Sequence, residues 1–441
     1  MIQITIITLI CCLLFGVPIA FAIGIAGTAG LYFGSTAPMF MVVKQFFEGI
    51  NSFSYMAIPL FILAGAIMGK GGISKRIVNF ASAILSWLRG GTAITTVGAS
   101  MIFAAVSGSG AATISAIGGI TVPEMLKKGY SRGFTAAMSA GAGSLGPIVP
   151  PSVDMIVFGC ITGFSISRLF VGGIIPGFII GLTLVSLSMI TTPTFAGFSY
   201  FYIYAKKRNI DYGGKFRGKV VWAAFKDSIW ALLMPIIIIG GVMGGAFTAT
   251  EAGAVACVYG LIVSVFVYKS MSFKDLINVL RSASVNMAMV MMIIGFSSIF
   301  SYIFALEGMG QKIVDFMLSI TTSPTGLFFL VIAFMVVIGC FMESLAALPI
   351  ILPIIYPMFA SLGVNLNQLG VVFALSTVLG GLTPPVGIYL FLSMNLTGAK
   401  MKETVLPHML IVIGIMLLVI VLCILLPIPQ FLPDLVFGAA T

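Results

Sequence analysis

The sequence has 441 residues, of which 60% are hydrophobic and only 8% are charged, and its mean hydropathy is +1.19. Because a soluble domain usually carries about 25% charged residues, this composition excludes a water-soluble fold and predicts a chain that faces lipid over most of its area. The formal net charge of +10 does not point to nucleic acid, since the basic residues of a membrane protein collect in its cytoplasmic loops.

The first half alternates full crossings with shorter apolar stretches. With the N-terminus outside, we expect residues 2–15, 17–33 and 52–69 to cross in turn, and residues 73–88 to form an amphipathic helix at the inner interface. Residues 92–106 and 111–122 flank Ser107–Gly110 and are each too short for a crossing of about 20 residues. They predict a re-entrant hairpin. Two further crossings follow at 133–164, interrupted between Gly146 and Pro151, and at 169–190.

The second half follows the same order after a basic segment. We divide the chain into a first repeat at 1–195, a cytoplasmic basic linker at 196–227 and a second repeat at 228–441. The predicted elements of the second half are crossings at 228–243, 246–268 and 283–305, an amphipathic helix at 309–320, a hairpin at about 325–360, a crossing at 366–397 broken at Thr383–Pro385, and a last crossing at 404–426. This path leaves only Lys44, Arg168 and Lys312 of the 22 Lys and Arg residues outside. It predicts a multi-pass inner-membrane protein with both termini in the periplasm.

Three landmarks recur at nearly one spacing. Lys75–Phe80 matches Gln311–Phe316, Pro150-Pro151 matches Pro384-Pro385, and the tip at Ser107 matches Glu343. Each half crosses an odd number of times, so the second repeat is expected to be upside down relative to the first. The predicted fold class is therefore an all-α polytopic membrane protein with two inverted-topology repeats, re-entrant helical hairpins and broken helices, an arrangement typical of secondary transporters.

The four breaks are the predicted functional sites, because unpaired backbone groups inside a membrane are tolerated only where they line a cavity or bind an ion. Carbonyl and hydroxyl oxygens suit a hard cation such as Na⁺, and half-helix N-termini favour an anionic substrate. The prediction assigns to sodium site one Ser107, Gly108, Ser109, Gly146, Pro147 and Pro150, to sodium site two Gly339, Met342, Glu343, Gly380, Thr383 and Pro384, and to a substrate cavity Ser107, Ser109, Pro151, Ser152, Asp154, Glu343 and Thr383. No cofactor is expected besides Na⁺ as the coupling ion.

Three acidic residues fall inside predicted membrane segments, where an ionisable group is costly and usually functional. Glu343 at the second tip is expected to bind a cation or a proton, and Asp154 to line the cavity. Glu251 has two interpretations, an N-terminal helix cap or a part in transport. An intramembrane protease would need a Ser-His, Ser-Lys or paired-Asp dyad at mid-membrane. None is apparent in the sequence, so we expect no enzyme activity.

The motifs resemble the large membrane subunit of the TRAP transporters (tripartite ATP-independent periplasmic transporters), DctM-like, over nearly the whole chain. The segments that carry the resemblance are Gly16-Val17-Pro18-Ile19-Ala20, Ile58–Gly65, Ser107–Thr113, Gly146–Ser152, Thr248–Glu251 and Leu382–Gly387. At Glu343 many relatives have Asp, so direct cation coordination there is left open.

The resemblance implies an elevator-type carrier in a bacterial or archaeal inner membrane. It implies Na⁺-driven uptake of an organic acid anion, such as a C4-dicarboxylate, sialic acid, or another sugar or keto acid, delivered by a periplasmic substrate-binding protein. It also implies a small four-helix membrane subunit, which we expect to be a separate chain. The alternatives are a stand-alone Na⁺/anion symporter of the divalent-anion type and, from a different class, a channel, which the inverted hairpins disfavour.

Overall fold

The computed structural model describes residues 1–88, 90–189, 215–340, 342, 344–384, 387–404 and 408–438. These residues form helices joined by short turns and contain no β-strand. The helices are α1 (Ile2–Leu14), α2 (Ile19–Gly34), α3 (Phe40–Ile50), α4 (Ala57–Lys70), α5 (Ile73–Leu85), α6 (Gly91–Ser107), α7 (Gly110–Thr113), α8 (Gly119–Lys127), α9 (Arg132–Gly143), α10 (Val153–Thr162), α11 (Ile166–Met189), α12 (Gly218–Met243), α13 (Ala249–Ile262), α14 (Phe273–Leu306), α15 (Met309–Ile320), α16 (Pro324–Gly339), α17 (Ser344–Ser361), α18 (Leu366–Leu382), α19 (Ile388–Thr397), α20 (Met401–Thr404), α21 (Leu410–Leu425) and α22 (Ile428–Phe437).

Several helices are long and apolar enough to span a bilayer. Within the described part of the chain six helical segments meet that criterion, and two bent helix pairs raise the number to eight if each pair is one span. The predicted interfacial helix at 309–320 is α15, which turns by 117° into α16, as expected for a helix that lies across the end of the spans. The chain is therefore a multi-span membrane protein, as its composition predicts.

Both predicted hairpins are present. In the first hairpin the Thr96 hydroxyl near the start of α6 lies 3.6 Å from the sulfur of Met125 near the end of α8. In the second, the ring of Phe328 at the start of α16 lies 5.0 Å from that of Phe359 at the end of α17. In each hairpin, the second arm therefore runs back beside the first arm instead of continuing in the same direction.

The two repeats are inverted with respect to each other. The broken helices α9–α10 and α18–α19 are equivalent by order, since each follows a hairpin. They lie side by side but run in opposite directions. Arg132 at the start of α9 bonds the carbonyl of Gly398 just after α19, and Phe158 in α10 contacts Phe373 in α18 at 6.2 Å. Antiparallel packing of equivalent elements is the geometry of an inverted repeat, and it confirms the predicted fold class.

The helices pack into two groups. The frame group comprises α1–α4 and α12–α14, in which α14 packs on α2, α3 and α4, and α13 packs on α4 and α12. The tip-bearing group comprises α6–α11 and α16–α22, in which α9 packs on α6 and α19, and α18 on α16 and α21. Helix α17 of the tip-bearing group also packs on α14 of the frame group, and the interfacial helix α5 contacts both α12 and α6. Its Arg76 lies 3.3 Å from Asp227 of α12 and 3.6 Å from the ring centroid of Tyr268.

Some boundaries differ from the prediction. Residues 40–50, which lie between two predicted crossings, form α3, whose Gly49 and Phe46 pack against α14. Helix α12 begins at Gly218 and not at 228, so the end of the predicted linker is helical, and the rest of it up to residue 214 lies outside the described residues. The chain also continues past the predicted last crossing into α22, held to α11 by an ion pair of 3.4 Å between Arg168 and Asp434.

Candidate functional site

The first hairpin tip is built from Ser107, Gly108 and Ser109. Gly108 has a φ of +61°, the left-handed conformation that ends α6 at little cost only for glycine. Ser109 then caps the returning arm, because its hydroxyl accepts the Ala112 N–H at 3.4 Å. The helix therefore stops and restarts within two residues, as the Ser-Gly-Ser sequence predicts.

One hydrogen-bond chain orients the hydroxyls of this tip. The Thr113 hydroxyl donates its single proton to the Ser109 carbonyl at 2.8 Å, so Ser107, 2.9 Å away, is the donor to Thr113. Ser107 is 1% exposed. Its proton is used inside the tip, and its lone pairs stay available to a ligand. Thr113 was not predicted, although its position four residues after Ser109, the spacing of facing side chains on a helix, is a usable signal.

The first break, residues 144–152, packs directly on the first tip. The Val153 N–H donates to the Gly108 carbonyl at 3.3 Å. A Cβ on Gly146 would lie 2.4 Å from the Ser109 carbonyl oxygen, so the absence of a side chain at Gly146 permits this approach. The Ser152 hydroxyl joins the two sides of the break, because it donates to the Pro147 carbonyl and accepts the Met155 N–H. The Pro150-Pro151 bond within the break is cis.

The second tip and break repeat this arrangement. The Gly387 N–H donates to the Cys340 carbonyl at 3.2 Å, the counterpart of the bond from Val153 to Gly108. Gly339 and Gly380 face each other so closely that a Cβ on Gly380 would lie 2.5 Å from the Cα of Gly339. The second tip is longer than the first. Helix α16 ends at Gly339 and α17 starts at Ser344, whereas α6 ends at Ser107 and α7 starts at Gly110.

The remaining residues predicted for site two have different surroundings. The Thr383 hydroxyl donates to the Leu379 carbonyl at 2.6 Å, so it offers lone pairs and no proton. The Met342 side chain packs against an apolar cluster of α2 and α14 residues, which leaves only its backbone as a cation ligand. Pro384 lies in the break itself. Glu343 and Pro385 lie outside the described residues.

Each tip also contacts the half-helix of the opposite repeat. A Cβ on Gly110, at the first tip, would lie 2.7 Å from the Tyr389 ring in α19. At the second tip the Ser344 hydroxyl lies 2.9 Å from Oδ1 of Asp154 in α10, and the Thr377 hydroxyl lies 3.4 Å from Oδ2. The structure thus brings both tips and both breaks to one region of the tip-bearing group.

The predicted cavity residues do not all line open space. Ser152 and Asp154 are 0% and 2% exposed and are engaged by the contacts above. An apolar crevice at the first break faces α11 and α12. It is lined by Pro150, Pro151, Phe170, Val171, Ile174, Ile238, Ile239, Val242 and Met243.

Glu251 caps the N-terminus of α13, which is the first of its two predicted interpretations. Its carboxylate accepts the N–H of Thr248 at 2.8 Å in a capping box.

The donor chemistry of the tips fits Na⁺. The tip-break pairs present carbonyl and hydroxyl oxygens, the ligands that hard cations take. Among the described residues no group of three or more His, Cys, Asp or Glu side chains is placed to hold a metal ion.

Comparison with known proteins identifies the family. Residues 6–428 match the family "Tripartite ATP-independent periplasmic transporter, DctM component". The isethionate TRAP transporter permease protein DctMQ of Oleidesulfovibrio alaskensis is 38% identical over 92% of this chain, and the chain spans 62% of that relative's length. The C4-dicarboxylate TRAP transporter large permease protein DctM of Vibrio cholerae is 34% identical over 96% of this chain and 95% of its own.

Two further likenesses agree. The sialic acid TRAP transporter permease protein SiaT of Haemophilus influenzae is 32% identical over 89% of this chain and 62% of its own. The crystal structure of the Alcanivorax borkumensis YdaH transporter superposes with a TM-score of 0.55 over 87% of this chain and 88% of that one, at 15% identity, which shows a shared fold. The chain belongs to the DctM component family of the tripartite ATP-independent periplasmic transporters, a family of membrane transporters.

Proposed function

We propose that this protein is the large membrane subunit of a Na⁺-coupled carrier that takes up an organic acid anion across the inner membrane. Family membership supports the transport role, and the relatives described above are named for isethionate, C4-dicarboxylates and sialic acid, which are organic acids. The proposed partners are a periplasmic substrate-binding protein that delivers the anion and a small four-helix membrane subunit, in keeping with a tripartite system.

The observation that carries this proposal is the meeting of two helix tips and two helix breaks at one place. At site one the Na⁺ ligands would be oxygens of Ser107, Gly108, Ser109 and the break that starts at Gly146, and at site two those around Gly339, Gly380 and Thr383. Bound Na⁺ supplies positive charge beside half-helix N-termini, which themselves favour an anion. Substrate and cation would then stabilise each other's binding, which is the thermodynamic basis of coupling.

An elevator movement would use the division into two groups. In the frame group, α2, α3 and α4 pack around α14. The tips, the breaks and the hydrogen bonds between them all belong to the tip-bearing group. A movement of one group past the other would keep the hydrogen bonds between tips and breaks, whereas the contacts of α17 and Met342 with the frame group would change. Helix α5, packed on α12 and α6, would guide that movement at the membrane surface.

The proposed orientation has both termini in the periplasm. The long-range polar contacts join residues that the charge-based path places on the same side. Arg76 with Asp227 and Arg132 with Gly398 are on the inner side, and Arg168 pairs with Asp434 on the outer side. These pairs support the order of the predicted crossings, and the assignment of the more basic side to the cytoplasm rests on the charge distribution.

The test is uptake by proteoliposomes that contain this protein and the small membrane subunit, with candidate binding proteins added outside and Na⁺ varied. We expect uptake only with a cognate binding protein and inward-directed Na⁺, and reduced uptake for Ser107→Ala, Ser109→Ala and Glu343→Ala at unchanged protein level. Gly119→Ala is a matched control in the same hairpin, because a Cβ there meets open space. Full uptake without a binding protein would favour the stand-alone symporter, and uptake indifferent to Na⁺ would refute the coupling.

A further inference from the structure

The N-terminal end of α12 carries an exposed stripe of two lysines around a tryptophan. Lys219, Trp222 and Lys226 follow one another at spacings of three and four residues, so they share one face of the helix. All three side chains are exposed, and Trp222 keeps 58% of its surface accessible. This Lys-Trp-Lys stripe is a basic and aromatic surface far along the chain from both tips and both breaks.

The length of α12 places the stripe at the surface of the bilayer. The helix has 26 residues, which is about 39 Å at 1.5 Å per residue, whereas the hydrocarbon core is about 30 Å thick. No charged residue lies between Ser228 and Met243, so the excess length falls at the N-terminal end. Lys219 and Trp222 then lie at the level of the lipid headgroups, where tryptophan and lysine side chains concentrate in membrane proteins.

Within the described part of the chain, the two lysines of the stripe have no acidic partner. Neither Lys219 nor Lys226 forms an ion pair with a described residue. Asp227 is the one acidic residue of the sequence between 215 and 230, and it pairs with Arg76 of α5 at 3.3 Å. Because like charges on one helix face repel each other, the stripe attracts an anion.

The tryptophan is held in place beside the lysines. The Lys226 amine lies 5.4 Å from the centroid of the Trp222 ring, within the range of a cation–π contact. The Trp222 ring also stacks on Phe225 at 5.6 Å, and Phe225 contacts Phe80 of α5 at 5.9 Å. A soluble acidic partner would use only the charges, whereas an exposed indole beside two amines suits a ligand that is anionic at one end and apolar at the other. A phospholipid has this chemistry.

The start of α14 provides a comparison on the same basic side of the chain. Lys274 and Arg281 are exposed and have the same seven-residue spacing as Lys219 and Lys226. Asp275 in the first turn of α14 interacts electrostatically with Lys274, however, and α14 contains no tryptophan. This pair of basic residues therefore lacks the two features that single out the stripe.

We propose that the Lys-Trp-Lys stripe of α12 binds the headgroup of one anionic phospholipid. The two amines contact the phosphate and the rest of the headgroup, and the Trp222 ring packs on the first part of an acyl chain. The Cα atoms of Lys219 and Lys226 are about 10 Å apart along the helix, a distance that two extended lysine side chains span around one headgroup. Because α12 packs on α5, the bound lipid fixes this edge of the frame group to one leaflet, whichever anion the protein carries.

Binding of labelled phosphatidylglycerol to the purified, delipidated full-length protein in detergent tests the site, with phosphatidylcholine as the zwitterionic comparison. We expect the wild type to bind phosphatidylglycerol more tightly than phosphatidylcholine. The double variant Lys219→Gln/Lys226→Gln should weaken phosphatidylglycerol binding about 25-fold, at about fivefold for each lysine near the membrane surface. Lys274→Gln/Arg281→Gln removes the same charge at the same spacing and should keep the wild-type affinity.

A further variant separates the stripe from general charge attraction. Trp222→Ala leaves the net charge unchanged and should still weaken phosphatidylglycerol binding several-fold, because it removes the acyl-chain contact. Equal loss of affinity in the two double variants, or equal binding of the two lipids by the wild type, would refute the site. Glutamine has a helix propensity close to that of lysine, so the variants should elute as monodisperse protein. If the stripe double variant does not, Lys219→Gln decides, and wild-type affinity in that variant refutes the site.

Discussion

Replacing Gly146 by alanine tests whether contact between the first tip and the first break forms the cation site. The added Cβ would lie 2.4 Å from the Ser109 carbonyl oxygen, 2.5 Å from its carbon and 2.7 Å from the Gly110 nitrogen. All three are backbone atoms, which cannot rotate away as a side chain can. Gly146 has no left-handed φ, so alanine is compatible with the backbone conformation, and the contact itself causes the effect.

The expected size follows from the cost of overpacking. Inserting a methyl group into a packed site costs about 1–3 kcal/mol. If that energy separates the tip from the break, the Na⁺ half-saturation of uptake should rise about 5- to 150-fold, since 1.4 kcal/mol corresponds to a factor of ten. The maximal rate at saturating Na⁺ should fall less, because high Na⁺ pulls the tip back onto the break.

The assay is the Na⁺ dependence of uptake into proteoliposomes, with Gly119→Ala measured in parallel. Gly119 begins α8 in the same hairpin, and a Cβ there meets nothing within 4 Å. The control variant should keep the wild-type Na⁺ dependence. If Gly146→Ala also keeps it, close approach of tip and break is not needed for cation binding, and the reasoning about site one fails.

Two more substitutions have defined outcomes. Gly380→Ala places a Cβ 2.5 Å from the Cα of Gly339 and should likewise raise the Na⁺ half-saturation by about tenfold or more; normal Na⁺ dependence would remove this contact from site two. Tyr268→Phe removes hydroxyl bonds to backbone groups of Asp227 and Ala231 and should destabilise the protein by about 1–3 kcal/mol, which thermal unfolding in detergent measures; an unchanged midpoint would contradict it.

The tips and breaks were predictable because their causes are local. Gly108 ends a helix wherever it lies, Ser109 caps the next one, and a proline pair interrupts a helix in any context. The hairpins followed from length alone, since their arms are too short to cross. The order of these signals was also sufficient to infer the inverted repeat.

The contacts between repeats were not predictable in the same way. Asp154 and Ser344 are 190 residues apart and meet only because α10 packs on α17. Helix α3 was missed for another reason. Lys44 and Glu48 interrupt its apolar pattern, while Phe40, Val43 and Phe47 are exposed, so hydropathy alone does not separate it from a loop.

The crossed contacts have a consequence for how the two halves work together. If each tip touched only its own break, ions at the two sites would bind independently. Instead, Gly110 at the first tip packs closely against the Tyr389 ring of the second repeat. Ser344 at the second tip is hydrogen-bonded to Asp154 of the first repeat. A change at either tip therefore moves a half-helix that supports the other. Since coupling between sites needs a shared element that both bias, these half-helices are the elements through which cations at the two proposed Na⁺ sites should bind cooperatively.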